Sequence, residues 1–553
     1  MSITVPVEVG PDLDQPSRTP APRRRRRQGG TLPRWQVRAD ARHVVWGECI
    51  AAAAVAAGGT AGVGVAAAAG VAATLAYRDA TVAGWAGRVV ALRRRSRTQS
   101  TWSTAVAIPE PFSVELPGVG PVGVRWDGQY AITMIALHGR SYAPSVLAAD
   151  GVDGTDTVPL EAISGLLRQF GGLQLHSIDV VAVGRRTATD GRYTPRYDEI
   201  IGDRPAVGQR RTWLVLRLAP QACLEALAYR GDVAEAVAAA TERVRQAAVR
   251  AGCRAVTCGA DQINAATAAL LDDLDLTRAQ ERWADLRIGP DHITTYRIAG
   301  KDLSTRLLND LWTIRATTTV TMVRLTPGDD GQVSMAAAVR VHTRSPMAHP
   351  PLSTAHSTPG QALPALLATL PLGDRAVELS LSSTPAAALQ VPIGPTGVML
   401  GMARAGVPYL MALTDPLRFT RIAVAADLTV VQSLVLRASA AGAVVLIHTD
   451  RPQLWAPICD EYRIELAQRG QARSTPTLVV ADGQAAQQLL VSTGERGHAL
   501  MSLTTSPTVD CDIVIRQISD AEVVVSTGGR DISLGIMRPR NEAAAVAHLR
   551  GYR

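Results

Sequence analysis

Residues 44–77, VVWGECIAAAAVAAGGTAGVGVAAAAGVAATLAY, constrain this chain more than any other stretch, being almost wholly apolar between arginine-rich flanks. One helix through the run would be roughly 50 Å long at 1.5 Å per residue, whereas a spanning helix needs about 20 residues. Gly58-Gly59-Thr60 interrupts it. Arg23 to Arg27, Arg34, Arg38 and Arg42 precede it, and Arg78, Arg88, Arg93, Arg94, Arg95 and Arg97 follow. Arginine-rich segments stay on the cytoplasmic side of a membrane. Two positive flanks therefore predict a membrane protein with an N-terminal two-helix transmembrane hairpin, about 44–58 and 61–77. Both termini and the bulk of the chain are then cytoplasmic, at the plasma membrane. No cleavable signal is expected, because the apolar run starts behind a polar Pro/Arg tail.

Charge placement supports this reading. Residues 1–100 hold 15 arginines against 6 acidic residues, and the remaining 453 residues are nearly neutral, with 42 basic and 43 acidic groups. The basic character is thus a collar around the anchor, where each Arg gains about 1 kcal/mol from anionic lipid. It does not describe a nucleic-acid-binding surface, and no nucleic-acid partner is expected.

Residues 1–40 read as a disordered Pro/Arg-rich tail and 79–106 as a basic amphipathic helix with a Ser/Thr-rich linker from about 96. Val82, Trp85, Val89 and Leu92 share one face of that helix, which is either an interfacial element or an extension of the second span. Beyond it, strand and helix signals alternate, predicting cytoplasmic α/β structure with mixed sheet, divided here as 107–300 and 301–553. VGVRWDGQYAITMIAL (122–137) reads as a hairpin around Asp127-Gly128, and 211–219 as a strand. Asp232 to Ala251 reads as an amphipathic helix stopped by Gly252. Residues 317–327 and 334–344 read as paired strands, and 388–413 as strands and turns broken by Gly and Pro. FTRIAVAAD, a helix from about Val430 to Ala441 and AVVLIHTD form a strand–helix–strand unit.

The clearest chemical statement is an exclusion. Lys301 is the only lysine, and it sits in AGKD, so the GxxxxGK[ST] loop of a P-loop ATPase is absent. Schiff-base chemistry is equally disfavoured. The six cysteines form no CxxC pair, the ten histidines form no HxH or HExxH pattern, and no GxSxG elbow occurs. No catalytic residue, metal site or cofactor is assigned. Asp510 and Asp512, in DCD, invite comparison with a glycosyltransferase metal site, and an edge strand carrying a Cys explains them as well. Glu48, inside the first apolar segment, reads either as a functional intramembrane carboxylate or as a solvated or ion-paired one.

Gly58, Gly59 and Gly62 mark a turn and a close helix contact, with GxxxG spacing between Gly58 and Gly62. Small-residue faces on the hairpin are expected to dock on partner helices. Trp85, Arg88, Arg93, Arg94 and Arg95 are the candidates for the membrane boundary. Trp126 and Trp213 read as core.

The order of several segments resembles the EccE family, a membrane component of the type VII (ESX) secretion system. The likeness runs through the apolar hairpin, ATVAGWAGRVVALRRRSR, VRWDGQYAITMIAL, RRTWLVLR and LQVPIGPTGVMLG with PYLMAL downstream. Its most specific positions are Arg125, Trp126 and Gly128 in VRWDG, and Arg210, Arg211 and Trp213 in RRTW. It does not extend into the N-terminal head or past about residue 460. The resemblance implies a non-catalytic, stabilising subunit of a plasma-membrane complex with EccB, EccC and EccD, in which EccC is the ATPase. A membrane-tethered enzyme with a glycosyltransferase-like α/β domain is the rival reading.

Overall fold

The computed structural model describes residues 35–37, 41–56, 59–77, 80–97, 99–148, 151–154, 156–328, 331–375, 377, 379–404, 406–467, 475–483, 494–504 and 511–537. It divides into two compact units, Met1–Gly84 and Trp85–Arg553.

In the first unit, helices Ala41–Ala56 and Gly59–Thr74 pack against each other. Alanine and glycine permit that approach. A Cβ added at Gly62 would overlap the Ala54 carbonyl oxygen, and one at Gly47 would stand 2.9 Å from the Ala73 methyl. The small-residue faces expected to meet partner helices are therefore spent inside the hairpin. Its outer surface instead carries exposed Val45, Ile50, Val55, Val63, Val65 and Val71. Glu48 is also exposed.

Each helix has 16 residues, about 24 Å, against a hydrocarbon core of about 30 Å. No helix among the described residues is long and apolar enough to cross a membrane. The second helix also stops short of residue 77. Leu75–Tyr77 is a strand, pairing antiparallel with Trp35–Val37 and with Ala80–Thr81. Part of the tail expected to be disordered is therefore ordered at 35–37. Gly58 lies outside the described residues, and Gly59 opens the second helix.

Helix Val82–Arg97, which belongs to the second unit from Trp85 onward, is followed by helix Gln99–Val106, where a linker was expected. Trp102 explains the helix: it is partly buried against the core and its indole N–H donates to the Leu276 carbonyl. Two sheets follow. The first has thirteen strands, all paired antiparallel, with Gln209–Leu218 between Ser177–Arg185 and Tyr130–His138. Both faces are covered. Helix Val233–Arg250, capped by the Asp232 carboxylate, packs on one face, and helices Ala260–Leu271 and Ala362–Leu367 on the other. Double coverage explains why these antiparallel strands read as continuous apolar runs rather than alternating ones.

The second sheet has twelve strands and is mixed. Ile464–Leu466, Val445–Thr449, Leu478–Asp482, Ala499–Leu503, Thr420–Ala425 and Ile513–Ser519 run parallel, and the remaining pairs are antiparallel. Helix Leu428–Ala440 is the crossover of the expected strand–helix–strand unit.

The division expected at residue 300 matches no break in either sheet. Asp291–Ile298 pairs with Val333–Thr343, and Pro144–Ala148 leaves the first sheet to pair with Pro408–Met411 of the second. Backbone pairing between distant segments is silent in a linear sequence. The 122–137 hairpin forms one residue out of the expected register: Asp127 pairs with Tyr130, leaving Gly128 and Gln129 as the turn. Gly128 takes a φ of +61° there, which glycine adopts without penalty.

Candidate functional site

A cavity of about 490 Å³ opens where the two sheets meet. One wall is the end of the 130–138 strand and the start of the 209–218 strand; the other is built from 141–145, Val152, Gly154, Asp156, Thr157 and residues within 390–396 and 412–416. Backbone stitches hold these walls together. The Thr396 N–H donates to the Val207 carbonyl, the Val207 N–H to Thr396 Oγ1, and the Gln209 side chain to the Gly442 carbonyl. Gly208 permits the approach, since a Cβ there would collide with the Ala441 backbone.

The charged groups in this lining differ in how they are satisfied. Asp415 is 1 % exposed and accepts from Arg254, at 2.8 and 3.1 Å, from the Ser141 hydroxyl and from the Leu417 N–H. Burial alone would raise its pKa, but these hydrogen bonds outweigh burial and hold it below the usual carboxylate value. Arg254 also donates Nε–H to the Gly139 carbonyl at 2.7 Å. Arg140 and Asp156 pair at 2.8 Å. His138 is pushed down by burial, with Arg254 adding to the effect, so its imidazole is neutral at pH 7. Ser141 gives its hydroxyl to Asp415, so Ser141, His138 and Asp415 are not arranged as a nucleophile–base–carboxylate relay.

Arg210 is different. It is 8 % exposed, its Nε–H donates to the Gly394 carbonyl at 2.5 Å, and its guanidinium lies over Trp312, 5.0 Å from the ring centroid. No carboxylate among the described residues pairs with it, and burial lowers its pKa to about 9. Arg211, next on the strand, points to the opposite face and lies 5.7 Å from the Trp213 centroid.

The sequence candidates thus separate. Arg210, Arg211 and Trp213 line the cavity, and Trp213 is core as expected. Arg125 lies elsewhere and is fully buried, donating to Thr267, Asn264 and the Pro371 carbonyl. It is a tie between strand, helix and loop. Trp126 is 46 % exposed, which corrects its assignment to the core; it follows Arg125, and adjacent strand residues face opposite ways. Arg95 is not a headgroup-facing charge: it grips the Glu281 carboxylate with two hydrogen bonds, and Trp85 packs on Trp283 with ring centroids 5.8 Å apart. Arg88 lies over the Trp85 ring, while Arg93 and Arg94 are exposed. Asp512 accepts from the Arg421 N–H and pairs with Arg418, so it is already occupied; Asp510 lies outside the described residues. Burial raises the Cys253 and Cys258 thiols to about 11 and 12, leaving them protonated and weakly nucleophilic.

Arg254, Trp312, Gly394 and Asp415 went unread as site residues. The only signal was indirect: RRTW and PIGPTG were distinctive segments, and the fold brings them face to face.

Comparison with known proteins converges on the same region. Residues 206–298, beginning at the cavity wall, match a family model described as a putative type VII ESX secretion system translocon, EccE. The chain is 30 % identical over 338 residues to the ESX-2 secretion system protein EccE2 of Mycobacterium tuberculosis, covering 61 % of this chain and 62 % of that relative. It is 28 % identical over 403 residues to the ESX-1 protein EccE1 of the same species, covering 70 % and 77 %. With the ESX-5 protein EccE5 of Mycobacterium marinum it shares 27 % over 293 residues, covering 50 % and 72 %. The match to EccE2 therefore spans a little under two thirds of that relative.

Proposed function

We propose that the chain is a member of the EccE family of type VII (ESX) secretion-system proteins and a non-catalytic, stabilising subunit of such a complex. The 206–298 match carries this reading, because it covers the central strand Gln209–Leu218, the helices Val233–Arg250 and Ala260–Leu271 on the two faces, and the edge strands as far as Asp291–Ile298. The two broad sheets supply a rigid body, and the unit before residue 85 supplies the membrane attachment.

The hairpin's exposed valines and isoleucine support that attachment, since soluble surfaces rarely gather apolar side chains in this way. Helices of 16 residues reach across the bilayer when it thins locally or when flanking residues extend to the interface. Both termini then lie in the cytoplasm, with Arg93 and Arg94 available to anionic lipid. The proposed partners are EccB, EccC, which supplies ATPase activity, and EccD.

Gentle detergent extraction followed by sizing tests the proposal. The expected result is co-elution in a large assembly that contains an ATPase. A monodisperse monomer that retains a nucleotide sugar would overturn it in favour of a tethered glycosyltransferase-like enzyme. Deleting 41–78 should release the protein from the membrane fraction.

A further inference from the structure

The cavity between the sheets has a feature that the subunit reading does not draw on. An arginine is buried there without a counter-charge, which is costly, because taking a cation out of water is offset only by a partner or by hydrogen bonds. The structure places two other cavity arginines, Arg140 and Arg254, against carboxylates. Arg210 has only a carbonyl acceptor at Nε and the face of Trp312. Its terminal nitrogens have no acceptor among the described residues. Arg210 also lines the cavity, so that edge of its planar fork is available to a ligand.

Three further observations limit what could sit there. The lining carries Arg140, Arg210 and Arg254 against Asp156 and Asp415, an excess of one positive charge, with Arg211 on the opposite face of its strand. The volume, about 490 Å³, is that of a small-molecule pocket and too confined for a folded partner. The stitches between Val207 and Thr396 fix both walls, so the guanidinium is held in place before any ligand arrives. A guanidinium fork matches two oxygens of one phosphate, and a phosphate monoester carries a charge close to −2 at neutral pH.

We propose that this cavity binds the phosphate group of a small phosphorylated molecule, gripped bidentately by Arg210. Stacking on Trp312 orients the guanidinium, and the Gly394 carbonyl fixes its rotation.

The full-length chain in mild detergent, titrated calorimetrically with glucose 6-phosphate, inorganic pyrophosphate and citrate, tests this. Saturable binding of either phosphate compound, weakened at least tenfold by Arg210→Gln, is the expected result. Arg210→Lys keeps the charge without the fork and should fall between wild type and Arg210→Gln. The exposed Arg278→Gln serves as a charge-matched control and should bind as wild type. Loss of binding counts only where thermal unfolding of the Arg210 variants stays cooperative; otherwise Thr414→Trp, which narrows the cavity and leaves the arginine in the sequence, replaces them and should abolish binding. Binding of citrate alone, equal binding by Arg210→Gln and wild type, or no binding of either phosphate compound overturns the proposal. None of these outcomes depends on assembly size, so this proposal and the subunit proposal fail separately.

Discussion

The two ends of one strand, Gln209–Leu218, bury an arginine each and treat it in opposite ways. Near its C-terminal end, Arg217 is fully buried and hydrogen-bonds to Asp179, Ser177 and the carbonyls of Leu370 and Leu372. Arg324 completes the arrangement by bridging Asp179, at 2.9 Å, and Asp374, at 2.6 Å. At the other end, Arg210 has one carbonyl and an aromatic face. The first end is a closed network inside a packed sheet. The second opens on a cavity. Burial therefore does not by itself mark a functional arginine; the marker is burial without a counter-charge beside empty space.

The largest test of this contrast is at the closed end. Arg217→Ala leaves buried Asp179 with Arg324 as its remaining cation and leaves the Leu370 and Leu372 carbonyls without their donor, and should cost about 3–5 kcal/mol in equilibrium urea unfolding followed by tryptophan fluorescence. A loss under 1 kcal/mol would show that the network is not what holds the strand. Next comes the junction. Gly208→Ala forces a methyl into the Ala441 backbone and should cost about 1–3 kcal/mol by the same measurement.

A pH titration separates buried groups by their partners. His342 is 1 % exposed, neither ring nitrogen has a hydrogen-bond partner among the described residues, and burial drives its pKa well down, with Arg340 adding to the effect and Asp272, 3.8 Å from Nδ1, opposing it. Its unfolded value is about 6.5, so the unfolded chain takes the proton first. Its contribution is fully present above that value and is lost as pH falls below it. Asp179 and Asp374 are depressed despite burial, because their arginine and histidine partners outweigh it. Their contribution persists until pH falls through the ordinary carboxylate range, about 4. His342→Gln should flatten the decline between pH 6.5 and about 4.5, leaving a smaller slope from His138 and His448, which burial also depresses. It should leave the steeper loss below about 4 intact.

The smallest effect is expected at the open end. Arg210→Gln removes an uncompensated buried charge and should change stability of the ligand-free protein by no more than about 1 kcal/mol. A loss as large as that of Arg217→Ala would erase the distinction between the two ends.

Much of the local structure was legible because local physics produces it. The 233–250 helix shows its apolar face and its Asp232 cap in the sequence, and the 318–327 and 333–343 strands announce themselves by β-rich composition. The 99–106 helix was missed because a polar sequence hid a partly buried tryptophan and the buried Val106. The site was half legible: RRTW stood out as a segment, but which of its arginines carries an uncompensated charge depends on residues 100 to 200 positions away.

The sequence alone therefore determined the apolar hairpin, the concentration of positive charge around it, the absence of a P-loop lysine and the family resemblance. All are set by residue type and short spacing. Tertiary structure alone decided that the small residues of the hairpin pack on each other, that Arg95 pairs with Glu281, and that Pro144–Ala148 joins the second sheet. It also decided that Arg125 is a buried tie while Arg210 faces a cavity. The reason is physical: a charge is defined by what surrounds it after folding, and those surroundings come from parts of the chain far apart in sequence.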